Sequence, residues 1–109
     1  MGTNYYLTIP KCEHCNAPET TLHIGKLSAG WVFALHAIPE RKITGLVGWH
    51  RLFMTPNVVI TNEYGKIITR REMLNTIRHP YHSGNKHHPI DEYCIANRKG
   101  YDVFIGDFC

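Results

Sequence analysis

The stretch LHIGKLSAGWVFALH, residues 22–36, decides the fold because it predicts a β-hairpin. The small residues at 29–30 suit the two central positions of a tight turn between antiparallel strands. Counting outward from that turn places His23 opposite His36. A slip of one residue would move the two histidines to opposite faces, so this juxtaposition depends on the register.

In that register, the two faces of the hairpin differ in chemistry because side chains alternate along a strand. One face is apolar and predicts the core side: Leu22, Ile24, Phe33, Leu35 and Ala37, with Lys26 near the turn. The other face carries a histidine at each end of a floor of small residues and predicts a shallow depression with polar edges: His23, Gly25, Leu27, Val32, Ala34 and His36.

Two short helices are predicted after the hairpin. Thr44 is expected to cap the first helix, which ends near Phe53. Thr69 and Glu72 have capping-box spacing and predict the start of a second helix over residues 70–79.

The remaining segments predict strands and a loop. Residues 58–61 and 66–69 flank the turn sequence NEYG and indicate a second hairpin. Residues 79–89, HPYHSGNKHHP, are typical of a loop, and residues 101–109 predict a final strand.

These elements predict one small α+β domain over residues 1–109. A zinc-ribbon-like knuckle and the first hairpin occupy residues 10–38. The first helix, the second hairpin and the second helix occupy residues 44–79. The histidine-rich loop and the final strand occupy residues 80–109.

Charge and hydropathy exclude some classes of protein. Twelve basic and nine acidic side chains give a net charge of +3, short of the basic stripe of a dedicated nucleic-acid binder. Eight histidines can add positive charge near pH 6, so affinity for anions is expected to rise on acidification. The start MGTNYYLTIP lacks a signal-peptide pattern, and no run approaches the roughly 20 apolar residues of a membrane span. We therefore expect a cytoplasmic protein.

The pair Cys12 and Cys15 has the spacing of a metal-binding knuckle. His23 and His36 complete the pattern C-x2-C-x7-H-x12-H, which predicts a four-ligand Zn²⁺ site. Two alternatives stay open at this point. The cysteines can be redox or exposed thiols beside packed histidines, or the pair can take its further ligands from a second set: Cys94, Cys109, His87 and His88.

The hairpin tip offers groups for an anionic ligand. Lys26 supplies a charge, Ser28 supplies a hydroxyl, and Trp31 supplies a ring for stacking. The alternative is an ordinary polar turn with Trp31 packed on the helix.

Signals for catalysis are few. Neither a phosphate-binding loop, a hydrolase elbow nor a dinucleotide fingerprint is present in the sequence. The available carboxylate pairs are Asp91 with Glu92 and Asp102 with Asp107. An enzyme is therefore not favoured, and a metal-dependent hydrolase or nuclease is kept as an alternative.

A resemblance follows from several motifs in order: MGTNYY, C-x-x-C, HIGK-SAGW, NEYG, REML and a closing GDFC. The chain resembles small proteins encoded in phage and prophage genomes, mostly hypothetical proteins, with HIGKSSAGW and DEYG motifs. It differs from them at Leu27 and Asn62, where Ser and Asp are common. The resemblance implies a phage context, in which small proteins bind host macromolecules or sequester signalling nucleotides of host defence.

The resulting hypothesis is a small binding protein that acts against host defence by capturing a host protein or a signalling nucleotide. The contacts are expected from Lys26, Ser28 and Trp31 beside the two histidines. A nucleic-acid-binding zinc module is the alternative, and a metal-dependent hydrolase is the second.

Overall fold

In the computed structural model, the described residues are 2–11, 14, 18–28, 30–78, 86–98 and 101–105. Within them, seven strands form one sheet: β1 (Gly2–Ile9), β2 (Thr20–Ser28), β3 (Phe33–His36), β4 (Val59–Asn62), β5 (Ile67–Ile68), β6 (Cys94–Arg98) and β7 (Tyr101–Phe104). Two α-helices accompany the sheet: α1 (Leu46–Phe53) and α2 (Arg70–Arg78). A 3₁₀ turn at Pro39–Arg41 follows β3.

The strand order is β5-β4-β1-β2-β3-β7-β6. Strands β3 and β7 are parallel, and the other neighbouring pairs are antiparallel. The predicted α+β class is therefore confirmed. The predicted separate hairpins are joined by β1, which was not predicted and lies between β2 and β4.

Both helices pack on the same face of the sheet. Their apolar sides are buried against strand residues that point the same way, and each fully buried large side chain contributes about 1.5–3 kcal/mol. The shared core contains Leu7, Leu22, Ile24, Phe33, Leu35, Ile60, Trp49, Phe53, Met73 and Ile77. Confirmed members of the predicted core side are Leu22, Ile24, Phe33 and Leu35.

The opposite sheet face is defined here as the open face, because the helices lie on the other side. Its members follow from the register, since directly paired residues share a face and residues alternate along each strand. Asn4 pairs with Lys26, Tyr6 with His23, Lys26 with Ala34, Ala34 with Asp102, and His36 with Phe104. The open face therefore carries Asn4, Tyr6, His23, Lys26, Ala34, His36, Asp102 and Phe104.

The predicted register of the first hairpin is wrong by one residue in the ladder. The turn itself is confirmed, because the Trp31 N–H donates to the Ser28 carbonyl oxygen at 3.1 Å. Lys26 nevertheless pairs with Ala34, so the β3 side contains one extra residue between the turn and this pair. His23 and His36 are therefore not directly paired across the hairpin.

A β-bulge in β2 returns the two histidines to one face. Tyr5 pairs with Gly25 while Tyr6 pairs with His23, so Ile24 is the extra residue. Beyond the bulge, the faces of residues 25–27 are the reverse of the prediction. Gly25 and Leu27 lie on the core side, and Lys26 lies on the open face.

Gly25 is required where the bulged strand crosses Phe33. A Cβ atom at this position would lie 2.5 Å from Phe33 Cε1 and would also overlap the Ala34 carbonyl oxygen. The absence of a side chain therefore lets Phe33 cross beneath the strand and enter the core.

The helix starts are confirmed in one case and corrected in the other. In α2, the Glu72 N–H donates to Thr69 Oγ1 at 3.1 Å, and the Thr69 N–H donates to Glu72 Oε1 at 3.3 Å, which is the predicted capping box. In α1, Thr44 is not the cap. Gly45 occupies that position without a side-chain cap bond, because the helix begins two residues later than Thr44.

The second hairpin is confirmed as β4 and β5. Asn62 Oδ1 accepts hydrogen bonds from the Tyr64 and Lys66 N–H groups and so holds the turn. Gly65 takes the positive φ of 82° that the turn requires.

Neither α1 nor α2 is long and apolar enough to cross a membrane, and no other candidate span occurs in the described ranges.

Candidate functional site

The imidazoles of His23 and His36 lie side by side on the open face. Their ring centroids are 5.3 Å apart, and the Tyr6 ring lies 5.5 Å from that of His23. Each of the three neighbouring strands β1, β2 and β3 contributes one of these rings. The sequence prediction that the hairpin brings the two histidines together is therefore correct in outcome, although the bulge and not the simple register produces it.

Hydrogen bonds orient both imidazoles. His36 Nδ1 lies 3.1 Å from the His23 carbonyl oxygen, and because a carbonyl only accepts, this nitrogen carries a proton and donates. His23 Nε2 lies 2.9 Å from Asn4 Oδ1, which fixes its ring against β1. The rings are thus held in place by the sheet.

A cavity of about 520 Å³ adjoins the two histidines. Arg41 of the 3₁₀ turn and Thr21 of β2 supply a guanidinium group and a hydroxyl to its lining, and Glu40 lines it as well. Both imidazoles border the same space. The cavity can therefore hold an anionic group against Arg41 while a planar group contacts the rings.

A second group of rings continues across the open face. Trp31 stacks on His88 with centroids 4.5 Å apart and planes 19° apart. His88 meets the edge of Phe104 at 4.9 Å, and Phe104 is the register partner of His36. Trp31 therefore packs on His88 on the open face, whereas the packing alternative places it on a helix.

Asp102 is completely buried beneath this second group and accepts four hydrogen bonds. Its Oδ1 accepts from His87 Nδ1 at 2.5 Å and Asn97 Nδ2 at 2.7 Å. Its Oδ2 accepts from the His88 N–H at 2.6 Å and His88 Nδ1 at 2.8 Å. In the sequence, Asp102 stands out only as half of a carboxylate pair. Its position in β7 next to Ala34 could not be foreseen, because it depends on the parallel pairing of β3 with β7.

The pKa of Asp102 reflects a competition between burial and hydrogen bonding. Burial by itself would raise the pKa of this carboxyl group, but the bonds from His88, His87 and Asn97 outweigh burial and lower the pKa below its ordinary value. The carboxylate is therefore ionised, and it anchors residues 86–88 to the sheet.

The other predicted ligand residues have the following positions. Lys26 lies on the open face, paired with Asn4 and Ala34. Ser28 lies at the end of β2, opposite Gly2. Tyr6, whose ring lies 5.5 Å from that of His23, and Arg41, which lines the same cavity as the pair, are not among the predicted ligand residues.

The cysteines of the predicted zinc site, Cys12 and Cys15, lie outside the described residues, as does Cys109. The four-ligand set with His23 and His36 therefore stays a prediction. In the part of the chain that the structure describes, no group of three or more His, Cys, Asp or Glu side chains is arranged to hold a metal ion.

Cys94 is completely buried, as expected for an inert thiol. Burial and the nearby carboxylate of Asp102 raise its pKa, so the thiol stays protonated. Its sulfur lies 3.9 Å from the His88 carbonyl oxygen.

No protein-family model, curated protein or solved structure matches this chain.

Proposed function

We propose that this chain is a small binding protein that captures an anionic nucleotide on the open face. One observation carries the proposal: the rings of Tyr6, His23 and His36 form a row across three strands, and the two histidines line a cavity that Arg41 also lines. The second ring group around Trp31 extends this row beyond Phe104.

The chemistry of a nucleotide matches this arrangement. Bases stack on exposed ring faces with about 1–3 kcal/mol per base. A guanidinium group binds phosphate through charge-assisted hydrogen bonds, which Arg41 is placed to make. Lys26 adds positive charge to the same sheet face. Trp31 and His88 already stack on each other, so the row of Tyr6, His23 and His36 is the ring group that the proposal uses.

The biological role that we propose is sequestration of a host signalling nucleotide by a phage protein. The resemblance of the chain to small phage proteins supports this role. Capture of a host protein is the other form of the same counter-defence hypothesis. In either form the protein would act in the cytoplasm of the bacterial host.

Removing one ring of the row should weaken nucleotide binding. We expect isothermal titration calorimetry to show that cyclic di-AMP binds more tightly than AMP. AMP should in turn bind more tightly than adenosine. Tyr6→Leu should weaken binding about tenfold or more, because it removes one stacking surface. The matched control is Tyr64→Leu, since Tyr64 is an exposed tyrosine in the β4–β5 turn. Equal losses in both variants, or no binding of any of the three compounds, would contradict the proposal.

A single-stranded nucleic acid is the alternative ligand for a sheet face lined with rings. An oligothymidylate that binds more tightly than the dinucleotide, with affinity falling steeply as salt increases, would favour the nucleic-acid-binding module. Repeated consumption of the nucleotide, abolished by chelation and restored by metal, would favour the metal-dependent hydrolase.

Zinc is a competing occupant for the same imidazoles. The distance of 5.3 Å between the rings of His23 and His36 supports the proposal that Cys12 and Cys15 complete a zinc-ribbon-like knuckle with them. Native mass spectrometry of the untagged protein should then give one zinc ion per chain, lost in His23→Ala together with thermal stability. A metal-free mass in the wild-type protein would overturn the zinc site.

A further inference from the structure

A cationic groove lies on the helix side of the sheet, opposite the open face. The space has a volume of about 650 Å³ and lies between α1, α2 and the β6–β7 hairpin. Arg51, Arg78 and Arg98 line it from three different elements, and Tyr101 borders it from β7. The open-face proposal does not use these residues.

The charge of the groove is one-sided. Among the described residues, its lining contains three arginines and His50 but no acidic side chain, although the chain as a whole has nine acidic residues against twelve basic ones. The ion pairs found among the described residues use Asp102 and not these arginines. Three guanidinium groups around one space produce a local positive potential that favours an anion.

The wall of the groove is apolar and partly uncovered. Leu46, Val47 and Leu74 line the space, and the side chain of Val47 is 71% exposed. A smaller cavity of about 350 Å³ shares Leu46, Val47, Arg98 and Tyr101 with it and extends to Ile95, which is 45% exposed. Apolar surface next to positive charge is the complement of a molecule with an apolar body and one anionic group.

We propose that this groove binds a small amphipathic anion, with its carboxylate, phosphate or sulfonate group on the arginines and its apolar body along Val47. A purely polar anion would leave the apolar wall uncovered, and a neutral apolar molecule would leave the guanidinium groups unpaired. This site is separate from the open face, so its failure would leave the nucleotide proposal standing.

The test uses two fluorescent probes with the same aromatic body. 1-Anilinonaphthalene-8-sulfonate carries a sulfonate, and N-phenyl-1-naphthylamine lacks it. We expect the sulfonate probe to bind one to one and about tenfold more tightly than the neutral probe. Arg78→Gln and Arg98→Gln should each weaken the sulfonate probe severalfold and leave the neutral probe unchanged. The matched control is Arg71→Gln, an exposed arginine of the same helix as Arg78 that lines a different cavity.

Three results would overturn the proposal: equal affinity for both probes, failure of the sulfonate probe to bind, or an Arg71→Gln effect as large as the other two. Thermal midpoints of the variants establish that all are folded. If AMP displaces the sulfonate probe and still does so in Tyr6→Leu, the nucleotide binds in the groove. This result would also overturn the assignment of the groove to an amphipathic anion. Loss of AMP binding in Tyr6→Leu with unchanged probe binding would support both sites as separate.

Discussion

Replacing Asp102 with alanine should lower the free energy of unfolding by about 3–5 kcal/mol, as expected when one member of a buried charged network is removed. The carboxylate accepts hydrogen bonds from His87, from Asn97, and from both the backbone N–H and the Nδ1 atom of His88. Without it, these donors lose the buried acceptor that holds residues 86–88 to the sheet, although the side chains of His87 and His88 keep contact with water at 42% and 27% exposure. Urea unfolding followed by circular dichroism measures the loss.

Two variants make the Asp102 result specific. Asp102→Asn keeps the shape but turns an amide NH₂ group towards some of the donors, so a loss of about 2 kcal/mol or more should remain. Glu92→Ala removes an exposed carboxylate of the same segment and should change stability by less than about 0.5 kcal/mol. A similar loss in Glu92→Ala, or a loss below about 1 kcal/mol in Asp102→Ala, would mean that the network does not anchor the segment.

The lowered pKa of Asp102 also determines how the stability of the fold changes in acid. Its folded pKa lies below the ordinary value of 3.8, so the ionised carboxylate stabilises the fold fully above about pH 4. This contribution is lost as the pH falls through the folded pKa. Wild-type protein should therefore lose stability more steeply below pH 4 than Asp102→Asn, which has no carboxyl group to protonate. Asp91, whose pKa is also lowered, is present in both proteins and cancels in the comparison.

Replacing Trp49 with alanine should cost about 3–5 kcal/mol of unfolding free energy, the range for a large aromatic residue in a core. Trp49 is completely buried between α1 and the sheet. Its Nε1–H also donates to the His36 carbonyl oxygen at 2.6 Å, which ties the helix to the strand that carries the open-face histidine.

A second variant distinguishes the contribution of the Trp49 hydrogen bond to stability from that of its packing. Trp49→Phe keeps most of the apolar contact and leaves the His36 carbonyl oxygen without this donor, so we expect a loss of about 1–3 kcal/mol. The matched control on the same helix is Val47→Ala, whose side chain is 71% exposed and should contribute about 0.5 kcal/mol or less. Chemical unfolding with m-value comparison is the measurement. A Trp49→Ala loss no larger than that of Val47→Ala would contradict the observed burial.

Local patterns predicted the elements that depend on neighbours in sequence. The capping box at Thr69 and Glu72 and the turn held by Asn62 are correct because their hydrogen bonds span two to four residues. The alternation of the first hairpin also identified four core residues, from Leu22 to Leu35.

Features that depend on distant pairing were not predictable in this way. The bulge at Ile24 is defined by the register of β2 against β1, and β1 is not among the predicted strands. Asp102 reaches His88 only because β7 pairs in parallel with β3. Arg41 joins the histidines because a 3₁₀ turn folds it back beside β3. No spacing rule within the sequence encodes these three outcomes.

The measurement that tests the central claim most directly is an imidazole NMR titration of the ¹⁵N-labelled protein with cyclic di-AMP. The protein provides an internal comparison, because His23 and His36 border the open-face cavity while His50 lines the groove on the other side of the sheet. We predict that the ring signals of His23 and His36 shift and saturate together, while those of His50 stay in place. Binding that shifts His50 and leaves the open-face pair unchanged, or titration without any change in His23 and His36, would contradict the account.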